Sequence, residues 1–244
     1  MGQELIEKTP PNHIATIIFQ AEEQIENTPI LELGKAFTLR FDDLNANEAY
    51  YYYTIHHANA DWTASELYKS EYINGFDDVR IRNMSNSSAT LLGYTHYALT
   101  IPNRDTEIIS SGNYVLAIFD RKQELIFTKR FVVYEQQANV QVGIFRLRDL
   151  EGIDSKQRIE IGVQTANINS RQPDQEISVW MLQNYRWSSA RKISKYDYVM
   201  NQNLRFEYDN NLIFEGGNEY LFFDTKDIRS AVGNVAYILS LIHI

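Results

Sequence analysis

The chain of 244 residues carries 23 Lys and Arg against 32 Asp and Glu, a net charge of −9, and so lacks the cationic footprint of a nucleic-acid binder. It has no cysteine, which removes thiol catalysis, disulfide scaffolds and zinc ribbons together. No run approaches the roughly 18 apolar residues of a transmembrane helix, and the start MGQELIEKTPPNH has no basic region followed by the apolar stretch of a secretion signal.

The 16 Tyr and 12 Phe favour strands, and strand patterns recur along the chain. The first half predicts strands near residues 14–20, 29–33, 36–42, 49–57, 94–101, 112–120 and 125–134. Phe37, Leu39 and Phe41 alternate with Thr38, Arg40 and Asp42, and Tyr97, Leu99 and Ile101 alternate with His96, Ala98 and Thr100. This is the period of two of half-buried antiparallel strands. Residues 63–72 predict one short turn of helix, starting near Ser65 and Glu66. GNYVLAIF (112–119) is apolar on both faces, which predicts a central, covered strand. It forms a hairpin through DRKQE (120–124) with LIFTKRFVVY, whose parity slips near Lys129 and Arg130 and so predicts a bulge. SGNYVL (111–116) has the look of the tyrosine corner of immunoglobulin-like sandwiches, with the Tyr114 hydroxyl bonded to local backbone. The alternative is an ordinary strand tyrosine.

After the polar linker EQQAN (135–139), further strands are predicted near 139–146, 157–165, 175–183, 203–208, 219–224 and 234–241. The expected fold is all-β: two tandem immunoglobulin-like or fibronectin-like β-sandwich domains, residues 1–136 and 137–244. The second set is one or two strands short of a closed sandwich. Its end, AYILSLIHI, would leave an exposed apolar edge, which native chains avoid. The chain is therefore expected to be an amino-terminal fragment of a longer protein, its second domain truncated.

Chemistry concentrates in residues 50–82, where four consecutive tyrosines precede His56, His57, Asn59, Asp61 and Trp62. Adjacent histidines on a strand point to opposite faces, so His56 and His57 do not chelate one ion, and no metal is expected. Asn59 and Asp61 read as turn residues bonding local backbone, with Trp62 anchoring the return in the core. The carboxylate pairs Asp42–Asp43, Asp77–Asp78 and Asp224/Asp227 read as solvated turn residues rather than a glycosidase pair. No nucleophile elbow, phosphate loop or dinucleotide fingerprint is present. No catalytic residue, cofactor or small-molecule substrate is expected.

The segments FDDLNANEAYYYTIHHANADW (41–62), KSEYINGFDDVRIRN (69–83), YTHYALTIPN (94–103), SGNYVLAIFD (111–120) and FEGGNEYLFFDTKDIRSA (214–231) resemble one family of Bacteroidota proteins. It is the plug protein family of the type IX secretion system, formerly a domain of unknown function. The resemblance runs from about Ile30 to Ala231. Family members typically begin with a signal peptide and extend well beyond residue 244, which fits the fragment reading. The resemblance implies a periplasmic, non-enzymatic stopper that docks at the periplasmic mouth of the outer-membrane translocon barrel. It transfers no catalytic site. It marks Tyr50, Tyr52, His56, His57, Asn59, Asp61, Trp62, Tyr72, Phe76, Asp77 and Asp78 as a fold signature or docking face, with Tyr114 structural. Two competing expectations stand beside it. One is a carbohydrate-binding module of an envelope glycan-processing protein, which needs an exposed row of Trp62, Trp180 and Trp187 or of tyrosines. The other is a scaffold domain of another envelope complex.

Overall fold

The computed structural model describes residues 5–21, 29–165, 172 and 176–217. Among the described residues strands dominate, as the alternating patterns require, arranged in several sheets with no barrel. The chain divides into two compact units, residues 1–137 and 138–244. The strands expected near 219–224 and 234–241, the Asp224/Asp227 pair and the terminal ILSLIHI lie outside the described residues.

The first unit contains β1 (Ile14–Ala21), β2 (Ile30–Glu32), β3 (Phe37–Asp43), β4 (Tyr52–Ala58), a one-turn helix α1 (Lys69–Tyr72), β5 (Ile73–Gly75), β6 (Val79–Arg80), β7 (Asn83–Asn86), β8 (Thr95–Ile101), β9 (Thr106–Ile108), β10 (Gly112–Phe119) and β11 (Leu125–Tyr134). Four strands form one sheet in the order β1-β3-β8-β7, and five form a second in the order β2-β11-β10-β4-β6. β5 and β9 pair as a separate two-stranded ribbon.

Alternation does the packing. On β3, Phe37, Leu39, Phe41 and Asp43 are buried while Thr38, Arg40 and Asp42 are half-buried. Phe37 meets Phe131 of β11 at 5.2 Å between ring centroids, and Phe41 meets Phe127 edge-on at 5.4 Å. These contacts join the two sheets through tilted and edge-to-face rings, the favoured aromatic geometries. β10 is central in its sheet and buried on both faces from Tyr114 to Ile118, as its two-sided apolar sequence requires.

Two local expectations are corrected. The β10–β11 register runs unbroken through Val115↔Arg130 and Leu116↔Lys129; its shift falls between Ile118 and Phe119, beside the turn. The basic pair is thus in regular register and the slip in apolar parity is only compositional. The helical turn spans Lys69–Tyr72 rather than starting near Ser65 and Glu66. There the Glu71 carboxylate accepts from the Tyr68 N–H at 2.6 Å, satisfying a donor that has no partner within the helix.

The second unit contains β12 (Asn139–Arg146), β13 (Lys156–Gln164), β14 (Val179–Met181), β15 (Arg191–Ile193), β16 (Tyr198–Met200), β17 (Asn203–Phe206) and β18 (Ile213–Glu215). The main sheet runs β12-β13-β17-β16, with β18 also on β13. Its core joins Ile161 and Val163 of β13 to Leu204, Phe206 and Phe214, with Met181 and Ile193 from the β14–β15 pair. Among the described residues β12 pairs only with β13, and Val140, Val142 and Ile144 along it are exposed.

The Tyr114 hydroxyl donates to the Ser110 carbonyl four residues upstream at 2.7 Å, the bond of a tyrosine corner. Tyr114 is fully buried, so deleting the hydroxyl leaves that carbonyl short of a partner. Tyr114→Phe is expected to lower stability by about 1–2 kcal/mol, measured by urea unfolding of the whole chain. An unchanged midpoint would show that the bond contributes nothing.

Candidate functional site

Residues 50–82 begin at the edge of β4, loop out through α1 and β5, and return on β6. The four tyrosines alternate across the sheet: Tyr51 and Tyr53 are buried, Tyr52 is half-buried, and Tyr50 is 39% exposed. The inward pair is tied by its hydroxyls. Tyr51 donates to the Asp43 carboxylate at 2.9 Å, and the Tyr53 hydroxyl lies 2.8 Å from the Thr106 hydroxyl.

The two histidines part as strand geometry demands. His56 reaches solvent on the outer face, with Nε2 2.9 Å from the Thr54 hydroxyl. Desolvation, then the Lys69 ammonium, lowers its pKa. His57 faces the core, edge-on to Tyr114 at 5.1 Å and tilted against Tyr72 at 5.5 Å. Burial lowers its pKa as well, against a backbone bond at Ser111. Gly112 makes this packing feasible: its φ is +153°, and a Cβ there would meet His57 Nε2 at 2.2 Å. His96 pairs with Asp42 across β3 and β8 at 2.7 Å. Among the described residues, no three His, Asp or Glu side chains gather in an arrangement that could hold a metal ion.

Asn59 and Asp61 build the turn. Asn59 Nδ2 donates to the Thr63 hydroxyl at 2.9 Å and the Ala64 carbonyl at 3.3 Å. Asp61 accepts from the Thr63 N–H and hydroxyl at 3.1 and 2.6 Å. Trp62 is among the buried core side chains, as expected, with the Arg130 guanidinium 4.6 Å from its ring. Tyr72 enters the core as well. Phe76 is 77% exposed.

The aspartates correct the solvated-turn expectation. Asp43 is fully buried, holding the Tyr51 hydroxyl and the Asn45 N–H. The Asp77 side chain is only 7% exposed and accepts from the Ile55 N–H at 2.9 Å and from Lys69. It closes the 69–77 loop onto β4. Asp78 alone of these is exposed, at a φ of +66°, a left-handed conformation that Asp tolerates better than most residues.

The constellation therefore fastens a loop. What it leaves at the surface is a cation–aromatic cluster absent from the sequence reading. Arg80 lies 3.6 Å over the Tyr50 ring, with Arg121 at 5.7 Å. The three residues are separated by 30 and 41 positions in the chain, so no local motif announces them. Trp62 is buried and Trp187 half-buried, while Trp180 is exposed.

Removing the Asp77 carboxylate strips a charged acceptor from a strand N–H. Asp77→Ala is expected to lose about 1.5–3 kcal/mol in urea unfolding, while Asp78→Asn stays within about 0.5 kcal/mol. Equal effects would refute the fastening role. The pH profile follows from the shifts. Burial, then Asp43, pushes the Tyr97 hydroxyl up to about 12, and burial raises Tyr51 and Tyr114 too. Their contribution is complete below about 10, the unfolded value, and is lost as pH climbs toward the folded values. The lowered histidines contribute above about 6.5 and lose that contribution on acidification. The unfolding midpoint should therefore fall on both sides of a neutral plateau; a midpoint flat from pH 9 to 12 would contradict the tyrosine assignment.

No curated protein matches the sequence. The chain resembles the crystal structure of a hypothetical protein from Parabacteroides merdae ATCC 43184, with a TM-score of 0.84 and 27% identity over 96% of this chain. It spans 61% of that protein's length. The family model for the type 9 secretion system plug protein 1st domain matches residues 14–135, which takes in both sheets of the first unit and the whole 50–82 stretch. With half of its length matched in this way, the chain belongs to the type IX secretion system plug protein family.

Proposed function

We propose that the protein is a non-enzymatic plug subunit that closes the periplasmic end of the outer-membrane translocon barrel of the type IX secretion system. The observation that carries this reading is the family match over residues 14–135. The physics of the first unit supports it. A stopper must present a preformed surface, because loop ordering on binding would subtract from affinity. The core of two bridged sheets supplies such a body, and Asp77 fastens its longest excursion. Closure must also be reversible when cargo arrives. A contact of standard size, roughly 1,200–2,000 Å² in total, spans affinities from weak to tight according to its anchors. Tyr50, Tyr52 and Phe76 are aromatic side chains at least partly open to solvent in the matched region, the residue class enriched at interfaces.

The reading predicts that the tagged protein copurifies with the translocon barrel from native outer membranes. It also predicts that deletion makes the outer membrane leak a small hydrophilic dye normally excluded. Wild-type dye exclusion in the deletion strain, with the barrel still present, would sink the plug role.

A further inference from the structure

The outer face of the five-stranded sheet ends in a row of side chains drawn from three strands. Tyr52 of β4 is in register with Arg80 of β6 on one side and with Phe119 of β10 on the other. Opposed residues share a face of the sheet, so Arg80, Tyr52 and Phe119 lie side by side, each half-buried. Tyr50, two residues before Tyr52, carries the Arg80 guanidinium on its ring at 3.6 Å, and Arg121 from the β10–β11 turn at 5.7 Å. A shallow groove runs beside the row, lined by Tyr52, Thr54, Phe119 and Arg121 and by the closed Lys69–Asp77 pair.

The charges here are unevenly satisfied. Among the described residues, neither arginine has a carboxylate within ion-pair reach, and Arg80 Nε is buried with no acceptor. The groove's own carboxylates are disposed differently. Asp77 is spent on Ile55 and Lys69. Asp120 accepts from the turn N–H groups of Lys122 and Glu124, both at 2.8 Å. Asp78 is exposed at the same groove.

We infer that this cluster is a docking site for an acidic segment of a partner protein. Carboxylates of that segment engage the Arg80 and Arg121 guanidinium groups, and the flanking side chains lie on Tyr50, Tyr52 and Phe119. Guanidinium groups match a carboxylate in planar, two-point geometry. Neither guanidinium is neutralised by a carboxylate of the described residues, so an anionic side chain gains Coulomb energy at either. Arginine and tyrosine are also the residues most often found to dominate binding energy at interfaces. The chain as a whole is acidic, at −9, so the site does not act through bulk attraction. Asp78 and Asp120 line the same groove and disfavour an acid seated away from the two arginines. The inference rests on the plug reading only for where the partner is met; the recognition chemistry stands on the cluster itself.

The test measures fluorescence anisotropy of the whole chain with a labelled peptide carrying glutamates between leucine and glycine, and with its glutamine counterpart. The glutamate peptide should bind about tenfold tighter or more, a difference of about 1.4 kcal/mol. Arg121→Gln, on an exposed turn, should weaken it about fivefold without changing the melting temperature, and Arg104→Gln should leave it unchanged. Added salt should weaken binding. Equal binding of the two peptides, no binding of either, or full affinity in Arg121→Gln overturns the inference. So does equal competition by vesicles of anionic phospholipid, which would make the site a membrane contact. If the peptide binds as expected but the wild-type protein fails to copurify with the barrel, the plug reading falls and the docking site stands.

Discussion

The first unit depends on one constraint: rings from two sheets must interlock in a single buried layer. Phe37 and Phe41 of β3 project toward Phe131 and Phe127 of β11, and Phe19 of β1 completes the cluster against Phe37 and Phe131. A slip of one residue in any of these strands would turn its rings to the opposite face. Register is therefore specified by burial wherever this layer reaches. The tyrosines at its margin add directional bonds. Tyr51 ends on Asp43, Tyr53 on Thr106, Tyr97 on the Ala49 carbonyl and Tyr114 on the Ser110 carbonyl. Each hydroxyl buries an apolar ring and still meets a partner, so the cost of an unmade buried hydrogen bond is avoided.

The same constraint divides the 50–82 stretch into two functions. Inward side chains, Tyr51, Tyr53, Ile55 and His57, are committed to the core or its margin. Outward ones are free to form a surface, and that surface is held still by the Asp77 bond to the β4 backbone. Tyr52 and Arg80 are half-buried and set by the strands behind them, and Arg80 is also in contact with the Tyr50 ring. This suits the proposed plug role, because a surface ordered before binding loses little entropy on binding.

Much of this was legible from alternation. β3 and β8 fall where period-two patterning placed them, since each has one face in the aromatic layer, and β10 falls where its two-sided apolar sequence placed it. The histidine pair separates for the same reason. Short strands were not legible: β5, β6, β7 and β9 span two to four residues each, too few for a period to show. The aspartates misled because composition cannot say what a carboxylate will face. Asp42–Asp43 ends a strand and Asp77 turns inward to a backbone donor, although each sits in a sequence that reads as a turn.

Sequence alone determined the strand-rich class, the inward and outward faces of the long strands, and the absence of cysteine chemistry, because these depend only on composition and local periodicity. Its long, unusual motifs also carried the family. Tertiary structure decided which polar groups meet. Asp43 reaches Tyr51, His96 reaches Asp42, and Arg80 and Arg121 converge on Tyr50 only after strands distant in the chain are brought into register. Such contacts depend on which strands neighbour one another and at what offset, and no local pattern encodes that.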